Sequence, residues 1–438
     1  MKITAVQYHS VAAADPPLRS SYGRHAPYAL RTIIELNTTD GLTGISETYG
    51  GDAQIAALEA ARPYVVGMDP FQLAGLYTAL LHRESSASGI AGGRTQTYLL
   101  PGENPLDQPA RTFAAIEIAC LDLIGKAVSK PLCDIVGGRA RDEVPFSAYL
   151  FYKHAGGGGL GADTREDEYG EVLDACSMVR EAQQMVDRYG FHEIKLKGGV
   201  LPPEEEIATI RALREEFGAS YPLRIDPNCA WSVETSVNIG RALKEELASG
   251  GYLEDPAAEL EGMAEVRRRL LAERIETPLA SNVAVTCFEH VPRAWSQNAV
   301  QIVLSDPHYW GGIRKQQQLS SLCEVLGLGV SMHSNNHLGV SMMIMAHAAA
   351  ASPHLTHACD THYPWQTEFD EVVAGGRVPI TNGVIRIPNK PGLGVDLDRD
   401  QLARGAERYR KLPFRKRDDE AEMRAHVDPN WKRVLPRW

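Results

Sequence analysis

The sequence predicts an α/β protein: a closed ring of parallel strands with helices outside it, preceded by a mixed α+β region. From about residue 144 onward, short apolar segments alternate with charged amphipathic ones, the pattern of strand–helix units in a parallel sheet. Six of the apolar segments end on a polar residue, namely Lys197, Asp226, Glu254, Asn282, Asp306 and His333. They recur at intervals of 24 to 29 residues, each the length of one strand, one helix and their loops. Adding "VPFSAYLFY" before Lys197 and "HLTHACDTH" after His333 gives eight strands, the number that closes a β/α barrel.

Taken in chain order, "YALRTIIELNTTDGLTGISETYG" reads as strands joined by an Asp-Gly turn. In "ARTFAAIEIACLDLIGKAVSKPLCDIVGG", Phe113, Ile116, Cys120, Leu121 and Ile124 recur at helical spacing, which predicts a helix burying one face. The strand "EIKLKGG" sets Ile194 and Leu196 on one face and Lys195 and Lys197 on the other. Its two glycines allow a close backbone approach where the strand ends. "PPEEEIATIRALREEFG" carries prolines and glutamates at its start, Ile207, Ile210, Leu213 and Phe217 on one face, and Gly218 as a stop.

At 438 residues the chain has room for two or three domains, or one large barrel with additions. Its 44% hydrophobic and 23% charged residues are those of an ordinary soluble protein. A net charge of −11 argues against a general binder of nucleic acid or acidic membrane, so any anion site must be positive locally. "VSMMIMAHAAAA" is too short to span a bilayer, and "MKITAVQYHS" lacks the apolar core of a signal peptide. Seven scattered cysteines without a C-x-x-C pair lead us to expect reduced thiols and a cytoplasmic protein.

Taken singly, "DPN" is a turn, "EDP" a strand exit and an Asn after Ser a helix cap. On consecutive strand ends, however, Asp226, Glu254 and Asn282 converge. Three hard oxygen donors without cysteine or histidine suit Mg²⁺ better than zinc. Asp306 and His333 end the next two strands, placing a carboxylate beside an imidazole that it can orient and make more basic. On the other side of the metal strands, Lys195 and the metal would depress the pKa of Lys197 by like-charge repulsion, fitting it as a base near neutral pH. Lys195 itself can hold a carboxylate oxygen. Two bases flanking a metal suit abstraction of a proton alpha to a carboxylate, the ene-diolate being stabilised by Mg²⁺ and Lys195. His337 falls beyond the strand and reads as structural.

These residues resemble the mandelate racemase branch of the enolase superfamily, over nearly the whole chain, and within it the glucarate dehydratases. The resemblance rests on "HEIKLKGGVL", "IDPNCAWS", "EDPA", "TPLASNVAVT", "LSDPHYWGG", "HSNNHLGVSM", "DTH" and "NKPGLGVDLD". It implies a modified TIM barrel, (β/α)7β, over residues 141–385, with an α+β capping domain at 1–140 to which a segment at 386–438 returns. It implies Mg²⁺ on Asp226, Glu254 and Asn282, bases at Lys197 and the Asp306–His333 pair, and substrate contacts from Lys195, Asn335 and His362. His25, Thr97, Tyr149 and Arg417 match positions that close over the far end of the substrate. The activity implied is dehydration of an aldarate, D-glucarate or L-idarate, to 5-dehydro-4-deoxy-D-glucarate, by a homo-oligomer.

Three stretches depart from that pattern: the glycine-rich "HAGGGGLGADTREDEYG", expected to be a mobile loop near the site mouth, "YPWQTEFDEVV", and serines in "PLRSSYGRHAP". All lie where distal substrate groups would bind. Dehydration or epimerisation of another aldarate or aldonate therefore stands as an alternative, and so does a non-catalytic paralogue serving as a binding or assembly partner.

Overall fold

The computed structural model describes residues 1–88 and 108–438, with the backbone alone at 81–88. Strand β1 (Ile3–Ala14) leads into a small hairpin, β2 (Arg19–Ser20) and β3 (Gly23–Arg24); β4 (Tyr28–Thr38) and β5 (Thr43–Tyr49) then complete an antiparallel sheet in the order β1-β4-β5. The β4–β5 connection contains the expected Asp-Gly turn, with Gly41 at φ 78°.

Helices α1 (Asp52–Val65), α2 (Leu73–Ser88), α3 (Gln108–Ala127) and α4 (Leu132–Ile135) follow. Helix α3 departs from its predicted single buried face: it is buried on all sides from Ala110 to Gly125. It lies against the sheet, and its polar residues serve as backbone acceptors on both sides. Asp122 receives Ile45 N at 2.8 Å and Leu393 N at 2.7 Å, while Glu117 receives Ile313 N at 2.8 Å.

Strand β6 (Glu143–Pro145) precedes the barrel. The barrel units are β7 (Ala148–Phe151) with α5 (Ala175–Tyr189), β8 (Ile194–Lys197) with α6 (Pro203–Phe217), and β9 (Leu223–Asp226) with α7 (Val233–Ala242). They continue with β10 (Tyr252–Glu254) and α8 (Glu259–Ala272), β11 (Leu279–Ser281) and α9 (Val291–Ser296), β12 (Ile302–Ser305) and α10 (Ile313–Leu326), and β13 (Gly329–Met332) and α11 (Gly339–Ala350). Strands β7 to β13 form one parallel sheet in chain order.

The eighth strand is irregular. Residues 356–360 bond to β13 through Thr356 N to Val330 O (3.0 Å) and Asp360 N to Met332 O (2.9 Å). They reach the first unit through Ser147 N to Cys359 O and Cys359 N to Pro145 O, both 2.9 Å, which closes the ring. Strand β14 (Val384–Arg386) pairs with β6 outside it.

The tail packs back on the N-terminal sheet. Helix α12 (Arg399–Lys411) crosses β1, where Arg408 Nε donates to Ala12 O at 2.9 Å and Arg399 grips both oxygens of Glu35 at 2.6 and 2.7 Å. Helix α13 (Asp419–His426) meets β3. The glycine-rich loop is fastened, contrary to expectation. Lys153 Nζ donates to Asp167 Oδ1 (2.8 Å) and to Gly170 O, Arg165 binds both oxygens of Asp370 (3.0 and 2.8 Å), and Leu160 N reaches Tyr28 OH at 2.9 Å. Its glycines serve close approach: at Gly158, φ 84°, a Cβ would lie 2.3 Å from Asp15 O. None of the seven cysteines is in a disulfide, and among the described residues no helix is long and apolar enough to cross a membrane.

Candidate active site

Lys197, Asp226 and Glu254 each end a strand, and Asn282, Asp306 and His333 each follow the last residue of one. The parallel register therefore carries all six to the C-terminal rim of the barrel. On one side, Lys197 Nζ donates to Asp226 Oδ2 at 2.6 Å. Lys195, fully buried, donates to Glu254 Oε1 at 2.7 Å and to Asp360 Oδ2 at 2.6 Å, and lies 3.4 Å from Asp226 Oδ2. Burial alone would lower the Lys195 pKa, but the Asp360 and Glu254 carboxylates outweigh it and hold this ammonium well above the ordinary lysine value. The Tyr149 ring lies beneath both cations, 4.6 Å from Lys195 and 5.8 Å from Lys197.

Carboxylate oxygens of Asp226, Glu254 and Asp255 lie within 4.8 Å of one another. Burial and the Asp226 charge push the Glu254 carboxyl well up; Asp226, despite its own burial, is held down to about 2 by Lys197 and Lys195. Asp255, absent from the sequence reading, is committed elsewhere: Oδ1 receives Ser281 Oγ (2.5 Å), and Oδ2 receives Asn282 N (3.0 Å) and Val283 N (3.2 Å). It orients Asn282, whose own Oδ1 is buried without a hydrogen-bond partner. Two carboxylates and an orphaned amide oxygen fit a hard divalent cation such as Mg²⁺. Asn228 steadies Asp226 by donating N and Nδ2 to its Oδ1 at 3.0 and 2.7 Å.

On the opposite side, Asp306 is shared. His333 Nδ1 lies 3.1 Å from Oδ2, which also accepts Tyr49 OH at 3.3 Å. His308 supplies its N at 2.8 Å and Nδ1 at 2.7 Å to Oδ1. Burial would raise the Asp306 pKa, but the two histidines hold it far below the usual carboxylate range. The "SDPH" stretch contained His308; nothing in the sequence pointed to Tyr49, which comes from β5. His362 lies where the two sides meet. Its Nδ1 is 3.1 Å from Ser334 Oγ and its ring centroid 4.8 Å from that of Tyr149. Burial, reinforced by His25, His337, His333 and Lys197, drives its pKa well below the ordinary value, leaving a neutral imidazole.

Tyr149 lies in the barrel wall, on β7, with its OH donating to Asp226 Oδ2 at 3.3 Å. His25 and Arg417 both approach Asp15. His25 Nδ1 lies 3.0 Å from Asp15 Oδ2 and Arg417 Nη1 3.7 Å from it. Arg417 also donates to Asn336 Oδ1 (2.9 Å) and pairs with Asp419 (2.8 Å), so it is engaged by the chain itself. Asn335 adjoins this network, its Oδ1 accepting Asn336 N at 2.9 Å. Thr97 lies outside the described residues. His337 is buried, 3.1 Å from Thr361 Oγ1, in keeping with a structural part.

Residues 2–137 match the mandelate racemase/muconate lactonizing enzyme N-terminal domain, and residues 177–401 the enolase C-terminal domain-like family. The chain is 45% identical to a probable glucarate dehydratase of Streptomyces coelicolor, over 100% of this chain and 99% of that one. It is 26% identical to an L-talarate/galactarate dehydratase of Salmonella typhimurium, over 86% and 83%. Among solved structures it resembles an enolase from Pseudomonas fluorescens with bound magnesium, potassium and tartrate: TM-score 0.91, 44% identity, covering 100% and 99% of the two chains.

Proposed function

Because the chain belongs to the mandelate racemase branch of the enolase superfamily, we propose that it is a Mg²⁺-dependent hydro-lyase acting on acid sugars, with an aldarate of the glucarate type as substrate. The observation that carries this reading is the pair of separately partnered bases, Lys197 on Asp226 and His333 on Asp306, on either side of a cluster of hard oxygen donors. A binding module has no use for two bases. The resemblance to a probable glucarate dehydratase along the full length of both chains supports the substrate class.

Asp226, Glu254 and Asn282 would hold the cation, which when bound supplies positive charge to the substrate carboxylate as its alpha carbon loses a proton. Lys195, clasped by Glu254 and Asp360, presents a fixed ammonium on the same side. Lys197 takes the alpha proton from one epimer and His333 from the other. Asp306 orients the His333 ring through Nδ1, leaving Nε2 to accept that proton and to deliver one to the departing beta hydroxyl. The mouth residues His25, Asn335 and Arg417 would meet the distal end of the sugar acid.

The test is a panel of aldarates and aldonates with Mg²⁺ present, turnover being followed by release of the 2-keto-3-deoxy product. Dehydration of glucarate or its C5 epimer is the expected result. Turnover confined to mono-acid sugars would overturn the aldarate assignment, and full turnover after chelation would overturn the metal assignment.

A further inference from the structure

We propose that Glu206 is the positioning residue of Lys197, acting through the backbone that follows the base and never touching substrate; the proposal rests on the two-base reading above. Strand β8 ends at Lys197, and the last sheet-like bond beyond it is Gly198 N to Asp226 O at 2.9 Å. The next three N–H groups have left the sheet and must find acceptors in a buried place. All three converge on one carboxylate: Gly199 N on Glu206 Oε2 at 2.9 Å, Val200 N and Leu201 N on Oε1 at 2.8 and 3.0 Å.

Glu206 stands in the first turn of α6, fully buried, with no ion pair among the described residues. Burial outweighs the pull of the three N–H groups and raises its carboxyl to about 7. The clamp is tight. A Cβ on Gly198 would lie 2.9 Å from Glu206 Oε2, and one on Gly199, φ 73°, would lie 2.5 Å from Pro227 O. The backbone after Lys197 is thus pinned between Glu206 and the residue following Asp226, the acid that Lys197 Nζ itself grips. The His333 side has its own acceptors and does not involve Glu206: Leu338 N and Ser341 N go to Glu47, and Gly339 N to Glu371.

Replacing Glu206→Gln keeps the shape and two of the three acceptor bonds, but turns an amide NH₂ toward the N–H of Gly199. The measurement is alpha-proton exchange in D₂O, by NMR, on two epimeric aldarates with Mg²⁺ present. The epimer served by Lys197 is identified as the one whose exchange Lys197→Met abolishes. In Glu206→Gln, kcat for that epimer should fall roughly tenfold or more, as expected for a base displaced by a fraction of an ångström, with KM little changed. Exchange from the His333 epimer should stay within about twofold, and it reports at the same time that the variant is folded. Equal slowing of both epimers would reduce Glu206 to a general support of the fold and overturn the proposal, as would unchanged rates for both. Absence of exchange from one epimer in the unmodified protein would instead overturn the two-base reading on which the proposal rests.

Discussion

The two sides of the site draw their support from different parts of the chain. Lys195 and Lys197 are held by Asp226, Glu254 and Asp360, all on barrel strands or the segment that closes the ring. The Asp306–His333 side is tied to the N-terminal sheet. Tyr49 OH reaches Asp306, and Glu47 accepts Leu338 N and Ser341 N at 2.9 and 2.8 Å. Ser341 Oγ lies 2.9 Å from His308 Nε2, and His308 in turn holds Asp306. On the proposed function, proton abstraction on the lysine face would therefore be a property of the barrel. On the histidine face it would depend on how the sheet of β1, β4 and β5 docks.

Chelation should have the largest effect and the least bias: exchange of both epimers should vanish, and added Mg²⁺ should restore both. Loss of only one would break the picture of a cation shared by the two faces. Next comes Asp306→Asn, which leaves His333 without an acceptor for Nδ1 and in the wrong tautomer. By analogy with His–Asp pairs elsewhere, His333-dependent exchange should fall roughly 10³- to 10⁴-fold while Lys197-dependent exchange survives. A smaller effect is expected of Tyr49→Phe, which preserves the ring beside Arg31 and removes one bond to Asp306. About 0.5–1.5 kcal/mol, some two- to tenfold in rate, should be lost from the histidine face only. Equal loss on both faces would show that the sheet steadies the barrel as a whole. The smallest effect on kcat is expected of Arg417→Lys. It should raise KM for an aldarate by an amount equivalent to about 1 kcal/mol on both faces, with kcat nearly unchanged, because Arg417 is bonded to Asn336 and Asp419 and to neither base. A fall in kcat instead would bring Arg417 into the chemistry.

The lysine side was the more legible in the sequence, and the reason is physical. A β/α barrel repeats one strand end per unit, so a polar residue closing a short apolar run recurs at a readable interval. Lys197, Asp226, Glu254, Asn282, Asp306 and His333 could be picked out in this way. What the interval could not show is which neighbours hold them. Asp255 and His308 stood next to or two residues from residues already chosen. The Asp255 carboxylate, however, acts across strands, on Asn282, and the His308 ring folds back on Asp306 while its other nitrogen meets the distant Ser341. Tyr49 and Asp306 are 257 positions apart and leave no local pattern.

Two errors of local reading share a cause. Helix α3 reads as one-sided from the spacing of its apolar residues, which cannot show that Glu117 and Asp122 are buried acceptors for distant N–H groups. The glycine-rich loop reads as mobile because composition cannot show that its glycines let backbone approach backbone at Asp15. The sequence places the eighth strand in "HLTHACDTH", and it closes the ring there, but irregularly, through sheet-like bonds from Thr356, His357, Cys359 and Asp360.

The meeting of Asp15 with Arg417 also has a consequence for synthesis. The two residues leave the ribosome about four hundred positions apart, and Asp15 waits through the making of the entire barrel for its arginine. Ala12 O and Glu35 likewise wait for Arg408 and Arg399. A nascent chain that has already emerged through Asp360 carries every proposed metal ligand and both bases, yet its first sheet is still uncovered on the side where α12 will lie. The mouth receives its arginine late, so on the proposed function the growing chain would hold the groups for its chemistry before those for its selectivity.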